Sequence, residues 1–325
     1  MQTEFSMELV ADARKRLEGL VVRTPVLSSP MLDREAGCKV FVKPESLQRT
    51  GAFKFRGALN KLLSLTPEDR QRGVVAFSSG NHGHAVAAAA AQVGCKAIIV
   101  LPHDAARIKI ENCRWWGAEI VLYDPDKEDR EAVGRKVAGP LGMVVVPPFD
   151  DHAIIAGQAT CGVEFAEQLD AAGQKPDSMI VPCSGGGLAS GSITAMMHRY
   201  PSIRPVFVEP QGLEKMAPTL LVGEPQPRPA GPRTILDGLS GPIAGLRTSR
   251  ILRACKAEGT SVSDAEVLSA MALAFRALKL VLEPAGAAPL AALLRDRAQF
   301  KGQTVAVICS GGNVDPDIFC KALQI

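Results

Sequence analysis

A lysine set between phenylalanines, three glycine-rich turns and a few hydroxyls carry most of the chemistry this sequence can offer. The lysine is Lys54, in the run Thr50-Gly51-Ala52-Phe53-Lys54-Phe55-Arg56-Gly57 at the start of an apolar helical stretch. A lone lysine is normally a solvated surface charge. Walled in by apolar groups, however, an ammonium has its pKa lowered, which prepares the amine for Schiff-base chemistry. Residues 184–187 read Ser-Gly-Gly-Gly, after an apolar strand and before a helix that opens at Leu188. Glycines bring several N–H groups close to one point, and the helix start adds positive potential, so a phosphate is the natural occupant. A tight strand-to-helix turn that holds nothing is the alternative. G-x-G-x-x-G is not completed, because Ser190 stands at its last position, and GxxxxGK[ST] is absent.

Two further turns hold the same place in their own strand–helix units. Ser78-Ser79-Gly80-Asn81-His82-Gly83 gathers hydroxyls, an amide and backbone N–H groups at a helix start, which suits a carboxylate or a simple N-cap. Ser310-Gly311-Gly312-Asn313 puts a hydroxyl at the carboxyl end of a strand, where open α/β sheets collect ligands and where it could meet a ring nitrogen. A lysine, a phosphate cup and a strand-end serine together are what an aldehyde-bearing phosphorylated cofactor requires.

The elements that must position these groups are legible as short β-branched runs alternating with alanine- and leucine-rich amphipathic stretches, the pattern of parallel βαβ units. Strands are expected at 39–43, 73–77, 96–101, 119–123, 143–146, 179–183, 205–208 and 304–309. Helices are expected at 53–63, 81–93, 108–116, 128–138, 158–168, 188–200, 264–279 and 287–297. The Pro- and Gly-rich stretch 211–242 reads as a surface loop.

The chain has 325 residues, 46% hydrophobic and 22% charged, which suits a globular α/β protein of two modest domains or one large unit. Its formal charge of +3, from 37 Lys+Arg against 34 Asp+Glu, is too small and too dispersed for a nucleic-acid surface. Eight cysteines are scattered without a CxxC pair or metal-ligand spacing. The first residues carry acids and no long apolar core, so neither a signal peptide nor a membrane anchor is expected, and the location expected is cytoplasmic.

Taken in order, the segments TGAFKFRGALN, SSGNHGHA, PPFDD, AGQAT, SGGGLASG, VEP, DGL, LEPAGA and CSGGN resemble the fold-type II pyridoxal-phosphate enzymes, within their serine/threonine dehydratase and serine racemase group. The resemblance implies an α/β fold like that of the tryptophan synthase β chain, with two open twisted sheets, flanking helices and pyridoxal 5'-phosphate in the cleft between domains. It implies a large domain from 1–65 and 147–325, a small inserted domain from 66–146, and a homodimer. Lys54 would form the imine with the cofactor aldehyde, Phe53 would pack along the ring, and Asn81 would bond the ring hydroxyl. Ser184, Gly185, Gly186, Gly187 and Leu188 would cradle the phosphate, and Ser310 would meet the pyridine nitrogen. Thr50, Ser78, Ser79 and His82 would receive the substrate carboxylate.

The implied reaction is removal of the Cα proton by Lys54 and loss of a β-hydroxyl, giving a 2-oxo acid and ammonia from a 3-hydroxy amino acid such as serine, threonine, phenylserine or 3-hydroxyaspartate. A neutral serine at the ring nitrogen favours prompt elimination. Ser79 resembles the serine that handles protons on the second face of Cα in the racemases, whereas PPFDD resembles the dehydratases; dehydration is the main expectation and racemisation the alternative. Relatives that bind a divalent cation use a Glu, a carbonyl and an Asp after the VEP strand. Here Glu209 is present but Lys215 takes the Asp position, so no metal is expected and Lys215 is expected to pair with Glu209. The sequence ends at Ile325 without a C-terminal regulatory domain, which suits a catabolic role. Two other readings leave most motifs without work: a nicotinamide-dependent oxidoreductase uses only the turn at 185–191, and a non-catalytic carrier has no use for Lys54 and Ser79.

Overall fold

The computed structural model describes residues 5–78, 80–105, 107–231 and 233–325. Their strands are β1 (Lys39–Pro44), β2 (Val74–Phe77), β3 (Ala97–Pro102), β4 (Glu119–Tyr123), β5 (Val144–Val145), β6 (Ser178–Pro182), β7 (Arg204–Pro210), β8 (Glu258–Val262) and β9 (Thr304–Cys309). They form a five-stranded sheet in the order β1-β9-β6-β7-β8 and a four-stranded sheet in the order β4-β3-β2-β5. All pairings are parallel, as in Val40 opposite Val305 and Val74 opposite Ala97. Parallel sheets need cover on both faces, and β1, β2, β3, β6, β7 and β9 are accordingly buried almost end to end. The fold class is the expected one: α/β, two parallel sheets and flanking helices.

The differences from expectation have local causes. Strand β8 has no apolar run; its residues Glu258 and Gly259 are exposed at the sheet edge, and pairing with β7 alone makes it a strand. The stretch 211–242 is not only loop, since it contains the helix Met216–Val222 and a 3-10 turn Asp237–Leu239. The helix expected at 158–168 runs from His152 to Ala171, because the Asp151 carboxylate accepts the N–H groups of Ala153 and Ile154 and starts it earlier. Helices Met7–Leu17, Leu246–Ala254 and Pro316–Leu323 lie outside the expected set.

Lys54 opens the helix Lys54–Ser64, and the position of that helix is set by buried charge. Arg56 is fully buried and holds two carboxylates: Glu45 through Nε at 2.7 Å and Nη2 at 2.9 Å, and Glu164 through Nη1 at 2.7 Å and Nη2 at 2.8 Å. Lys43, also fully buried, donates to Glu164 at 2.9 Å, to the Thr24 carbonyl at 2.7 Å and to Gln168 at 2.8 Å. Burial by itself raises the Glu45 carboxyl pKa, and the adjacent Arg56 guanidinium more than reverses this, leaving it below its ordinary value. The Lys54 helix then crosses the His152–Ala171 helix at close range. A Cβ on Gly57 would lie 2.2 Å from Gln158 Nε2, and one on Gly157 would lie 2.7 Å from the Arg56 carbonyl oxygen.

Replacing Arg56 by methionine strands the fully buried Glu45 carboxylate and leaves Glu164 with Lys43 alone, a change expected to cost about 3–5 kcal/mol of unfolding free energy. Urea denaturation of the two proteins measures it; a loss under about 1 kcal/mol, the scale of a solvated surface pair, would contradict the anchoring role.

Candidate active site

Three strands deliver their carboxyl ends to one cavity of about 230 Å³. Ser78 follows β2, Ser184 follows β6 by one intervening residue, and Ser310 follows β9; all three line it. So do Phe53, Lys54, Asn81, His82, the turn 184–188, Arg130, Pro148, Phe149 and Glu283. The segments that look unrelated along the chain therefore meet where parallel sheets place ligands.

Lys54 is half-buried and borders the cavity, and its amine donates to the Pro148 carbonyl at 2.6 Å. It lies 5.2 Å from the centre of the Phe53 ring. Desolvation lowers its pKa from 10.5 to about 8, the direction a reactive amine needs. Phe53 N–H donates to the Ser310 carbonyl at 3.0 Å, which ties the residue before the lysine to the end of β9.

The glycine turn is too tight for any side chain. A Cβ on Gly185 would lie 2.2 Å from Phe149 Cδ1, and Gly186 has φ +94° with Met216 Cε and Thr248 Oγ1 both 2.7 Å from its added Cβ. The Gly185 carbonyl accepts from the Thr248 hydroxyl at 2.6 Å and from Gly245 N–H at 3.2 Å. In a trans peptide the N–H of Gly186 then faces the opposite way. With the start of the helix Gly187–Arg199 behind it, the turn has the geometry that suits a phosphate.

At the second helix start, Asn81–Val93, the neighbours of Asn81 are fixed. Its Nδ2 donates to Glu283 Oε1 at 2.7 Å, and its Oδ1 accepts from Asn313 Nδ2 at 2.8 Å. His82 is buried, and its Nε2 lies 2.9 Å from the Val146 carbonyl, which can only accept, so Nε2 carries the proton. Burial first, and the Lys54 charge second, lower the His82 pKa to about 3, so the ring is neutral. A neutral ring whose proton is already committed has no N–H to offer a carboxylate, whereas backbone N–H groups at a helix start suit one.

Of the sequence-derived site residues, Lys54, Phe53, Asn81, Ser184, Gly185, Gly186, Gly187, Leu188, Ser310, Ser78 and His82 all line the cavity. Thr50 does not: it has φ 64°, its carbonyl accepts from Asn313 at 2.7 Å, and its hydroxyl is buried without a partner among the described residues. Ser79 lies outside the described residues. Three contributors escape a reading of the sequence alone. Glu283 follows from LEPAGA only once the fold brings it to Asn81. Arg130, the first residue of the helix Arg130–Leu141, carries no local motif, and its side chain forms no hydrogen bond or ion pair with another described residue. The PPFDD segment offers only a resemblance in sequence, yet Pro148 accepts from Lys54, Asp150 receives the N–H of Leu246, Arg247 and Thr248, and Asp151 pairs with Lys61 at 2.6 Å.

A partly desolvated amine, a glycine turn at a helix start and hydroxyls at strand ends form a donor set that fits pyridoxal phosphate: Lys54 for the aldehyde, residues 184–188 for the phosphate, Ser310 and Asn81 for the ring. Among the described residues, no group of three or more His, Cys, Asp or Glu side chains is gathered in a way that could hold a metal ion.

Known proteins agree with this geometry. The family model described as pyridoxal-phosphate dependent enzyme matches residues 17–311. An L-threo-3-hydroxyaspartate ammonia-lyase from a Pseudomonas species is 40% identical over 318 residues, 97% of each chain. A serine racemase from Arabidopsis thaliana is 37% identical, covering 94% of this chain and 92% of its own. The solved structure of maize serine racemase superposes with a TM-score of 0.91 at 36% identity, covering 98% of this chain and 97% of its own. With cavity, cradle and relatives in accord, the chain belongs to the pyridoxal-phosphate dependent enzymes.

Proposed function

We propose that this enzyme is an ammonia-lyase that converts a 3-hydroxy amino acid with a second carboxylate, 3-hydroxyaspartate, to the 2-oxo dicarboxylic acid and ammonia. The observation that carries this reading is the sharing of one cavity by the Lys54 amine and the Arg130 guanidinium, which is unpaired among the described residues. A guanidinium recognises a planar carboxylate through a fork of N–H groups, and serine or threonine has no such group at the β-carbon. The Pseudomonas relative named for L-threo-3-hydroxyaspartate supports the same choice.

When bound, the cofactor supplies the conjugated ring that delocalises the electron pair left at Cα. The rest falls to the chain. Residues 184–188 hold the phosphate, and Phe53 packs along the ring face. The helix start at Asn81 takes the α-carboxylate and Arg130 the β-carboxylate, which together fix Cα against Lys54. The Lys54 Nζ then takes the Cα proton, a step suited to an amine whose pKa is near 8. Ser310 offers the ring nitrogen a neutral hydroxyl in place of a carboxylate.

The division into 1–65 with 147–325 and 66–146 is supported by sheet membership, since β2 to β5 fall in the insert and the other strands outside it. A cytoplasmic site is supported by eight free thiols and by the absence, among the described residues, of a helix long and apolar enough to cross a membrane. The family resemblance supports a homodimer.

Added 3-hydroxyaspartate should release ammonia and oxo acid in equal amounts, and Lys54→Ala should abolish the release; turnover by that variant would refute the assignment. Chiral analysis of the remaining substrate in the same assay reads the racemase alternative, for which Ser79 and the Arabidopsis relative speak. Arg130→Gln should lower kcat/KM for 3-hydroxyaspartate about 10–100-fold, the worth of a charged hydrogen bond, with little change for serine. Equal losses on both substrates would exclude Arg130 from β-carboxylate recognition. Capture of free pyridoxal phosphate by apoenzyme needs the neutral amine, so its rate should climb about tenfold per pH unit below pH 8 and level off above it. A stopped-flow rate already flat there would place the Lys54 pKa elsewhere.

A further inference from the structure

At the carboxyl end of β7 the Glu209 carboxylate is fully buried. It accepts three backbone N–H groups, from Lys215 and Met216 at 2.9 Å and from Ala217 at 3.0 Å, and so starts the helix Met216–Val222. The Lys215 side chain is itself 0% exposed; its ammonium donates to the Leu239 carbonyl at 2.7 Å and stands 3.9 Å from Glu209 Oε1. A buried carboxylate beside a backbone carbonyl is a donor pair suited to a hard divalent cation. Here an ammonium occupies that place. It donates to the Leu239 carbonyl and faces the Glu209 carboxylate at 3.9 Å as an ion pair; carrying positive charge and no lone pair, it repels a metal ion.

The contact reaches the cavity. Leu239 ends the turn Asp237–Leu239, which lines the cavity together with Gly241. Gly241 N–H donates to Ser184 Oγ at 3.3 Å, and Met216 packs beneath Gly186. One ammonium thus links the end of β7, the start of a helix and the wall that faces the glycine cradle.

We propose that Lys215 is a built-in cation that takes the place of a bound divalent ion and positions the 237–241 wall against the phosphate cradle. The replacement claim stands on Glu209, Lys215 and Leu239 alone. The positioning claim rests in addition on the phosphate lying at residues 184–188, and the two are read by separate arms of one experiment.

In the first arm, elemental analysis of purified holoenzyme should find no stoichiometric divalent metal, and neither chelator nor added Mg²⁺ or Ca²⁺ should move its melting temperature or cofactor absorbance. Stoichiometric metal, or a melting temperature that falls on chelation, overturns the replacement. In the second arm, Lys215→Asp and Lys215→Met should each weaken cofactor retention about tenfold or more, the effect of losing a charged hydrogen bond. Mg²⁺ or Ca²⁺ should restore retention in Lys215→Asp, which regains a ligand, and not in Lys215→Met. Folding of Lys215→Asp only when the cation is present counts as rescue and supports the proposal equally. Failure of both cations to rescue it, or undiminished retention in both variants, overturns the positioning role.

Discussion

The reactive amine has to be kept from bulk water, because a fully solvated lysine is protonated at neutral pH and then neither attacks an aldehyde nor takes a proton from carbon. Enclosure of Lys54 against Pro148 and Phe53 meets that constraint, and much of the surrounding structure serves to maintain it. The helix that begins at Lys54 is held two residues later by Arg56, whose guanidinium is shared between Glu45 and Glu164. Such a buried network is weak evidence for net stability, but strong evidence that the position is specified, since any displacement leaves an unpaired charge behind. The glycines at 57 and 157 let the helices approach until the lysine meets the 148–151 segment.

Charge is sorted in the cavity by helix starts. The helix starts at Gly187 and Asn81 both border the cavity, and each is suited to an anion: the proposal puts a phosphate at the first and a carboxylate at the second. Between them, Glu283, Asn81 and Asn313 form a chain of hydrogen bonds that ends on the Thr50 carbonyl, four residues before Lys54. The polar groups around the lysine are thereby oriented before any ligand arrives, which is the condition for positioning to contribute to rate. Aspartates at 150 and 151 hold two helices from one loop, so the Pro148 carbonyl that accepts the Lys54 hydrogen bond is fixed by the packing of both.

The turns are legible in the sequence because their chemistry is local: glycine, serine and asparagine at a strand-to-helix junction have few alternative uses. The same holds for the buried parallel strands, whose apolar runs need no partner to be recognised. What escapes depends on tertiary contact. Strand β8 exists through β7, and the helix at Met216 exists because Glu209, six or more residues earlier, caps it. Glu283 and Arg130 carry no turn signal, and only the fold brings them to the cavity. The resemblance assigns the His82 ring to a carboxylate; burial and the Val146 carbonyl leave it neutral and engaged, so the proposed contact falls to the helix backbone.

The account turns on which amine holds the cofactor. Borohydride reduction of the purified enzyme, followed by proteolysis and mass spectrometry, reads this directly. The account requires the reduced cofactor mass on the peptide containing Lys54, at Nζ of that residue and no other. A modification on a different lysine, or none in an enzyme that still turns over, would contradict it.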